Sequence, residues 1–347
     1  MTSLERVTAV LNHQEPDRVP VYPLINSISR NYTGIDYAEW SLNEEKCAES
    51  IIKATDELDV DVICSLVDLS VEAADWGMKM RYPEDAAAGP DTKEHFISKP
   101  EDFDKIVRLD PTKTPRMSGH IKLVKMLMDA RGKEKPVVAF VFGPLGVLSM
   151  MTGLAPMFKY LRKCPEKVHQ ALRNVTDTLK DYCAAIIEQS DCHAIMFDTL
   201  YSSQTIMRAS MWDEWEGPYI QELADLVHEK GKMVMIHNCG DGIYFKEQIS
   251  RMNPIAISTL YLPPDCKTMD EVKQMYGDKI TIIGSIPPSN LVTDTEDQIR
   301  AECRREIDAY KKNGGFILST GCEYPAGLDD HYARVIVEEA KTYGKYN

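Results

Sequence analysis

Short apolar segments recur along the chain and predict buried β-strands. They are almost continuously apolar rather than alternating, which is typical of parallel strands covered on both faces. In chain order they are RVPVYPL (18–24), VDVICSL (60–66), PVVAFVFGP (136–144), HAIMFDTL (193–200), MVMIHNC (233–239), AISTLYLP (256–263), ITIIGSI (280–286) and GFILSTGC (315–322).

Between these segments, apolar residues recur at helical spacing. Helices are predicted over residues 43–58, 212–230, 295–312 and 330–343. Eight strands that alternate with helices predict an α/β fold, a (β/α)8 TIM barrel.

We expect this barrel to be a single domain over residues 1–347, with a helical insertion at 155–190 and a loop insertion at 67–118. The alternative is an open doubly wound sheet. It is disfavoured because no G-x-G-x-x-G turn follows the first segment.

The composition of the chain disfavours some classes of binding partner. The 347 residues include 40 Lys and Arg against 54 Asp and Glu, giving a net charge of -14. Such a surface repels phosphate backbones and anionic lipids, so nucleic acid and membrane partners are not expected. No apolar run approaches the ~20 residues of a membrane-spanning helix. The charged N-terminal stretch lacks the apolar region of a signal peptide, and we therefore expect a cytoplasmic protein.

Candidate chemistry lies at the carboxyl ends of the fifth and eighth segments, where a barrel of this type carries its active site. The fifth segment ends in His237 and Cys239, which point to the same side because they are two residues apart in a strand. The eighth ends in Cys322, which completes a His/Cys/Cys set. One imidazole and two thiolates favour zinc, and three protein ligands leave a fourth position open, as in catalytic sites. Taken singly, each of these residues is more often a buried core residue.

Two further carboxylates are candidate catalytic groups. Asp198, at the end of the fourth segment, is placed to act as an acid or base or to bind a substrate; the alternative is a helix N-cap or a loop salt bridge. Glu323, directly after Cys322, is a candidate zinc ligand or outer-shell base; the alternative is a loop carboxylate.

Four residues are candidates for substrate binding. Asp68 and Glu72 follow the second segment at i, i+4 spacing, which would place both on one face of a helix; the alternative is a solvated face. Asn26 and Tyr201 are expected to line the same pocket.

Beyond these residues, several motifs resemble the uroporphyrinogen decarboxylase superfamily, and specifically its corrinoid-dependent methyltransferase branch. The similarity covers nearly the whole chain. It is carried by ERVTAVLNHQEPDRVPV, VDLSVEAADWGM, FGPLGVLSMMTG, MFDTLYSS, the H-x-C…C pattern and STGCEYPAG.

The resemblance implies a zinc enzyme that moves a methyl group between a corrinoid and a small substrate held at zinc, such as a thiol, a methyl ether or a methylamine. Methylcobalamin would then be a co-substrate. Because the chain has no D-x-H-x-x-G segment, the corrinoid is expected on a separate corrinoid protein. A small-molecule methyl donor or acceptor is the second expected partner, and a homodimer is a further expectation.

The chain also departs from the family pattern. Uroporphyrinogen decarboxylases carry an arginine-rich M-R-Q-A-G-R-Y-type segment after the first strand, whereas this chain has PLINSISRNY, with Arg30 alone. Without those cations a substrate with several carboxylates lacks its clamps. The G-N-V-D-P segment of the family is Gly284-Ser285-Ile286-Pro287-Pro288 here, and Glu323 stands where coenzyme M methyltransferases tend to have Gly. The alternative function, a metal-free decarboxylase of the lyase class, is therefore disfavoured.

Overall fold

The computed structural model describes residues 1–83, 87–91 and 93–346. Its strands are short and lie close to the predicted segments. Their bounds are β1 Ile63–Cys64, β2 Met80–Arg81, β3 Gly89–Pro90, β4 Val137–Phe142, β5 Ala194–Asp198, β6 Met233–Asn238, β7 Ala256–Thr259, β8 Thr281–Ile283 and β9 Phe316–Ile317.

Within the described residues, seven of these strands form one parallel sheet in the order β1-β4-β5-β6-β7-β8-β9. Strands β2 and β3 form a separate antiparallel pair. Because all seven strands run in the same direction, their carboxyl ends meet at a single edge. The parallel α/β fold class is confirmed at this level.

Helices follow and flank the strands. Their bounds are α1 Ser3–Leu11, α2 Tyr37–Leu42, α3 Glu44–Leu58, α4 Val71–Asp75, α5 Pro115–Arg131, α6 Pro144–Thr152, α7 Leu154–Lys163, α8 Pro165–Ser190, α9 Ala209–Trp215, α10 Gly217–Glu229, α11 Phe245–Met252, α12 Met269–Tyr276, α13 Asn290–Thr293, α14 Glu296–Tyr310 and α15 His331–Thr342. Among the described residues, two 3₁₀ helices span Ser27–Tyr32 and Pro100–Lys105. None of the described helices combines the length and the apolar character needed to cross a membrane.

The first predicted strand, residues 18–24, is the segment where the prediction and the structure differ. It is not a regular strand: Val21 forms an isolated parallel bridge with Leu318, and the Val21 carbonyl accepts a hydrogen bond from the Asp61 amide at 2.8 Å. Pro20 and Pro23 explain the difference, because proline has no amide hydrogen to donate to a ladder. The segment nevertheless bonds to residues next to both edge strands of the sheet, β1 and β9.

One helical prediction also needs correction. The single helix predicted over 212–230 is two helices, α9 and α10, separated at Glu216. Pro218 lies in the first turn of α10, where its missing amide hydrogen costs nothing, whereas it could not continue a helix from α9. The insertion 155–190 consists almost entirely of α7 and α8. The insertion 67–118 contains α4, β2, β3, one 3₁₀ helix and the first residues of α5, and its residues 84–86 and 92 lie outside the described residues.

Candidate metal centre

The structure brings His237, Cys239 and Cys322 together at the carboxyl edge of the sheet. One ligand atom from each residue lies within 4.8 Å of the others, so all three can reach one ion. His237 is in β6, Cys239 follows that strand, and Cys322 lies in the loop after β9. In the part of the chain that the structure describes, these residues form the one group of three or more potential ligands close enough to share a metal.

Strand register positions His237. It lies opposite Asp198 on β5 and Ser258 on β7, and it is only 4% exposed. Its Nδ1 lies 3.0 Å from the Ser258 hydroxyl oxygen, and its ring packs against Phe140 with the ring centres 5.8 Å apart. With Nδ1 engaged, Nε2 is the nitrogen left for a metal.

The two sulfurs interact with each other. A hydrogen bond between Cys239 and Cys322 lowers the Cys322 pKa and raises the Cys239 pKa. Burial alone would lower the His237 pKa, but its hydrogen bond with Cys322 reverses this and the net pKa is raised. Two thiols and an imidazole in mutual contact are suited to bind a divalent ion, because such an ion deprotonates the thiols it binds.

Asn238 holds the turn between two ligands. Its side-chain oxygen accepts a hydrogen bond from the Gly240 amide at 2.7 Å, and its Nδ2 donates to the Thr199 carbonyl at 2.5 Å. Both contacts are buried or nearly so, which fixes the backbone that carries Cys239.

Asp198 ends β5 beside His237. It is 6% exposed, and burial raises its pKa to about 6. Its Oδ1 is buried and has no hydrogen-bond partner among the described residues. The N-cap of the next helix, α9, is Arg208, so the capping alternative does not apply to Asp198.

Glu323 directly follows Cys322 and is half-buried. Its Oε1 accepts a hydrogen bond from the Ser27 amide at 3.0 Å, which ties the loop after β9 to the segment after residues 18–24. Burial raises its pKa to about 7. The ligand set therefore has two carboxyl groups as neighbours, Asp198 beside His237 and Glu323 after Cys322.

Asp68 and Glu72 do not share a helix face, which corrects the sequence-based expectation. Helix α4 begins only at Val71, and Asp68 instead accepts hydrogen bonds from the Ser70 amide at 2.8 Å and from Arg116. Glu72 is 2% exposed and accepts a hydrogen bond from the Phe142 amide at 3.0 Å, and burial raises its pKa to about 7. In this structure both carboxyls hold backbone and side chains around the ends of β1 and β4. A role in substrate binding stays a prediction.

Asn26 and Tyr201 are both buried near the same edge of the sheet. Asn26 donates from Nδ2 to the Cys64 carbonyl at 2.7 Å. Tyr201 lines a cavity of about 220 Å³ together with Met150 and Leu154. The expected pocket-lining roles of Asn26 and Tyr201 also stay predictions.

Sequence reasoning missed Ser258 and Phe140, which contact His237. The signal that could have found them is strand register, since Ser258 lies directly opposite His237 on the neighbouring strand. The apolar pattern locates each strand but does not align it with its neighbour.

A cavity of about 1180 Å³ lies elsewhere in the molecule. It is lined by residues of α12, of α14 and of the loops after β7 and β8, and none of the three candidate ligands lines it. The geometry of the ligand set, rather than cavity size, therefore identifies the candidate site.

The chain is similar to known proteins over most of its length. A family model described as uroporphyrinogen decarboxylase (URO-D) matches residues 2–343. A methylcobamide:CoM methyltransferase of Methanosarcina mazei is 24% identical over 349 residues, covering 99% of this chain and 98% of that protein. A uroporphyrinogen decarboxylase of Nautilia profundicola is 21% identical and covers 82% of this chain and 81% of that protein.

The fold is also similar to a solved structure. A methyltransferase from Methanosarcina mazei matches with a TM-score of 0.82 and 18% sequence identity, covering 99% of each chain.

Proposed function

Because the chain belongs to the uroporphyrinogen decarboxylase family, we propose that it is a zinc-dependent methyltransferase that moves a methyl group between a corrinoid and a small substrate. The observation that carries the proposal is the convergence of His237, Cys239 and Cys322 within 4.8 Å. A metal-free decarboxylase has no need of two cysteines and a histidine at this spacing. The similarity to a protein named methylcobamide:CoM methyltransferase supports the corrinoid as co-substrate.

The donor set fits zinc. One neutral imidazole and two thiolates are ligands that zinc prefers, and three protein ligands are the arrangement of catalytic sites with one open position. Bound there, zinc supplies Lewis acidity, which stabilises charge on a thiolate or on the oxygen or nitrogen that a methyl group leaves.

Two carboxyl side chains of this chain are proposed to act beside the metal. Asp198 lies beside His237, and its Oδ1 has no hydrogen-bond partner in the described part of the chain. We assign it to hydrogen bonding or proton transfer at the substrate atom that gains or loses the methyl group. Glu323 is the second carboxyl, held beside Cys322 by the Ser27 amide. Holding the substrate in line with the methyl carbon would contribute most of the rate, up to roughly 7–11 kcal/mol in favourable cases.

The corrinoid is proposed to arrive on a separate protein. The sequence contains no D-x-H-x-x-G segment of its own, so the edge of the sheet that carries the ligand set must admit a partner domain. The surface is acidic, with a net charge of -14, which favours a partner whose docking face is not itself strongly acidic.

For the architecture, we propose a closed (β/α)8 barrel formed as one domain over 1–347. The support is residues 18–24, which bond to Leu318 on one side and to Asp61 on the other. In that position the segment supplies the strand that closes the barrel between β9 and β1. A closed barrel puts the ends of β6 and β9 across a single opening, as the ligand set requires.

The alternative function is a decarboxylase, and the observation in its favour is the similarity to proteins named uroporphyrinogen decarboxylase. The PLINSISRNY segment argues against a decarboxylase. Its single basic residue is Arg30, whereas a substrate with several carboxylates needs several cations to bind it.

One assay run in two formats tests the proposal. Free cob(I)alamin is followed by absorbance while methyl ethers, methylamines and methyl thioethers are added, and methylcobalamin is followed while thiols are added. We expect zinc-dependent methyl transfer in one format, abolished in the Cys239→Ser variant. Absence of transfer in both formats by protein that holds one zinc per chain would refute the proposed reaction. Decarboxylation by metal-free protein would favour the alternative.

A further inference from the structure

We propose that Ser258 is a positioning residue of the metal centre, whose hydroxyl holds His237 as the tautomer that keeps the Nε2 lone pair free for the metal. The inference rests on the proposed function, since it assigns a role toward the metal. It concerns a residue on β7 that lies 21 positions away from His237 in the sequence.

The pair is a product of strand register. Strands β6 and β7 run parallel, and His237 and Ser258 are direct partners in the pairing, so their side chains leave the sheet on the same face. Ser258 is 2% exposed and His237 is 4% exposed. Their 3.0 Å contact between Oγ and Nδ1 is therefore shielded from water, which would otherwise replace it at little cost.

The chemistry selects one direction for this hydrogen bond. A neutral imidazole carries a hydrogen on one ring nitrogen and a lone pair on the other. If the Ser258 hydroxyl donated to Nδ1, the hydrogen of the ring would lie on Nε2 and block the metal. When Nδ1 donates to Oγ, Nε2 presents its lone pair toward Cys239 and Cys322. Metal-bound histidines generally use their second nitrogen in this way.

In many metal sites a carboxylate accepts the hydrogen bond from the second histidine nitrogen. A carboxylate lies close to His237 as well, but it does not make this contact. Asp198 is the direct partner of His237 on β5, the strand on the other side. Its Oδ1 has no hydrogen-bond partner in the described residues, and the Nδ1 contact is made by Ser258. A neutral hydroxyl in place of a carboxylate orients the ring without adding charge to a ligand set that already contains two thiols, and it leaves Asp198 for the substrate.

The test compares zinc affinity in three purified full-length variants with that of the unaltered protein, by competition with a chromophoric chelator. Ser258→Ala removes the acceptor, and Ser258→Thr keeps a hydroxyl at the same position. Ser190→Ala is the matched control, because it removes another buried hydroxyl that bonds to a backbone carbonyl at 2.7 Å near the end of α8. A second readout is the ¹⁵N shift pattern of the imidazoles in zinc-loaded, unaltered protein, which reports which ring nitrogen carries the hydrogen.

We expect Ser258→Ala to weaken zinc binding by about 10- to 100-fold, as loss of a histidine's outer partner does elsewhere. Ser258→Thr should recover most of the affinity, and Ser190→Ala should match the unaltered protein. The nitrogen shifts should show Nδ1–H and a metal-bound Nε2 at one histidine. If Ser258→Ala fails to fold, the nitrogen shifts of the unaltered protein still decide the tautomer.

Two results overturn the inference. The first is a zinc affinity of Ser258→Ala equal to that of the unaltered protein. The second is a metal bound through Nδ1. Either result would leave the proposed methyl transfer standing, provided the unaltered protein binds zinc. Failure of the unaltered protein to bind zinc at all would instead remove the proposed function on which the inference rests.

Discussion

Replacing Glu306 by Gln should change how the stability of the protein depends on pH. Glu306 lies in α14, has no exposed surface, and accepts hydrogen bonds from the Ser285 amide at 2.6 Å and the Ser285 hydroxyl at 3.1 Å. Ser285 belongs to the loop after β8, at the edge of the sheet that carries the ligand set. Burial raises the Glu306 pKa from its ordinary value of 4.5 to about 8.

The sign follows from proton binding in the two states. Below pH 4.5 the carboxyl is protonated both in the folded and in the unfolded chain, so it does not change the free energy of unfolding. Between pH 4.5 and about 8 the unfolded chain loses this proton while the folded chain keeps it, so stability falls as pH rises. A pKa difference of about 3.5 corresponds to about 5 kcal/mol, of which roughly 4 kcal/mol develops between about pH 5 and pH 9.

Urea unfolding followed by tryptophan fluorescence across this pH range measures the effect. Glu306→Gln keeps a carbonyl oxygen for the Ser285 amide and has no proton to lose. The stability of the unaltered protein minus that of the variant should therefore fall as pH rises and level off above about pH 8, the pKa of Glu306. All other titrating groups are common to both proteins and cancel in the difference.

Glu49→Gln is the control, since it makes the same change at an exposed helical position, in α3. Parallel pH curves for the unaltered protein and Glu306→Gln would refute the reasoning. If Glu306→Gln and the control variant had the same pH profile of stability, the effect could not be assigned to the buried Glu306 carboxyl.

Three further substitutions have defined outcomes. Asp61→Asn should destabilise the protein by about 3–5 kcal/mol in urea unfolding, because it leaves the buried Arg6 and Arg18 without their shared carboxylate; an unchanged midpoint would contradict this. Gly143→Ala should also destabilise, because the added Cβ would lie 2.5 Å from the Glu216 side chain. Its control is Gly89→Ala, which meets nothing within 4 Å, and equal unfolding midpoints for the two variants would contradict the steric argument. Asp198→Asn should keep one zinc per chain but lower the rate of methyl transfer by about 10²-fold or more, as loss of an acid or base does; an unchanged rate would remove Asp198 from the reaction.

The sequence predicted the fold well where burial alone decides structure. Strands covered on both faces are continuously apolar, and seven of the predicted segments contain strands of the parallel sheet in the described residues. The exception, residues 18–24, has the right hydrophobicity but contains Pro20 and Pro23, which interrupt a ladder without preventing the segment from packing between its neighbours.

The convergence of the ligand set was predictable for a similar reason. In a parallel α/β fold the strand ends share an edge, so residues at the ends of two strands meet although they are far apart in the chain. The start of α4 was not predictable from spacing, because Asp68 bonds the Ser70 amide before the helix begins. The contact of Ser258 with His237 depends on register, which the pattern of apolar residues does not specify when strands are buried on both faces.

X-ray absorption at the zinc edge of the zinc-loaded protein tests the central claim most directly. If His237, Cys239 and Cys322 bind one ion with an open fourth position, the first shell should contain two sulfurs at about 2.3 Å and light atoms at about 2.0–2.1 Å, one of them an imidazole nitrogen. One sulfur should be lost in the Cys239→Ser variant. A shell without sulfur, a shell of four sulfurs, or a zinc content well below one per chain would contradict the account.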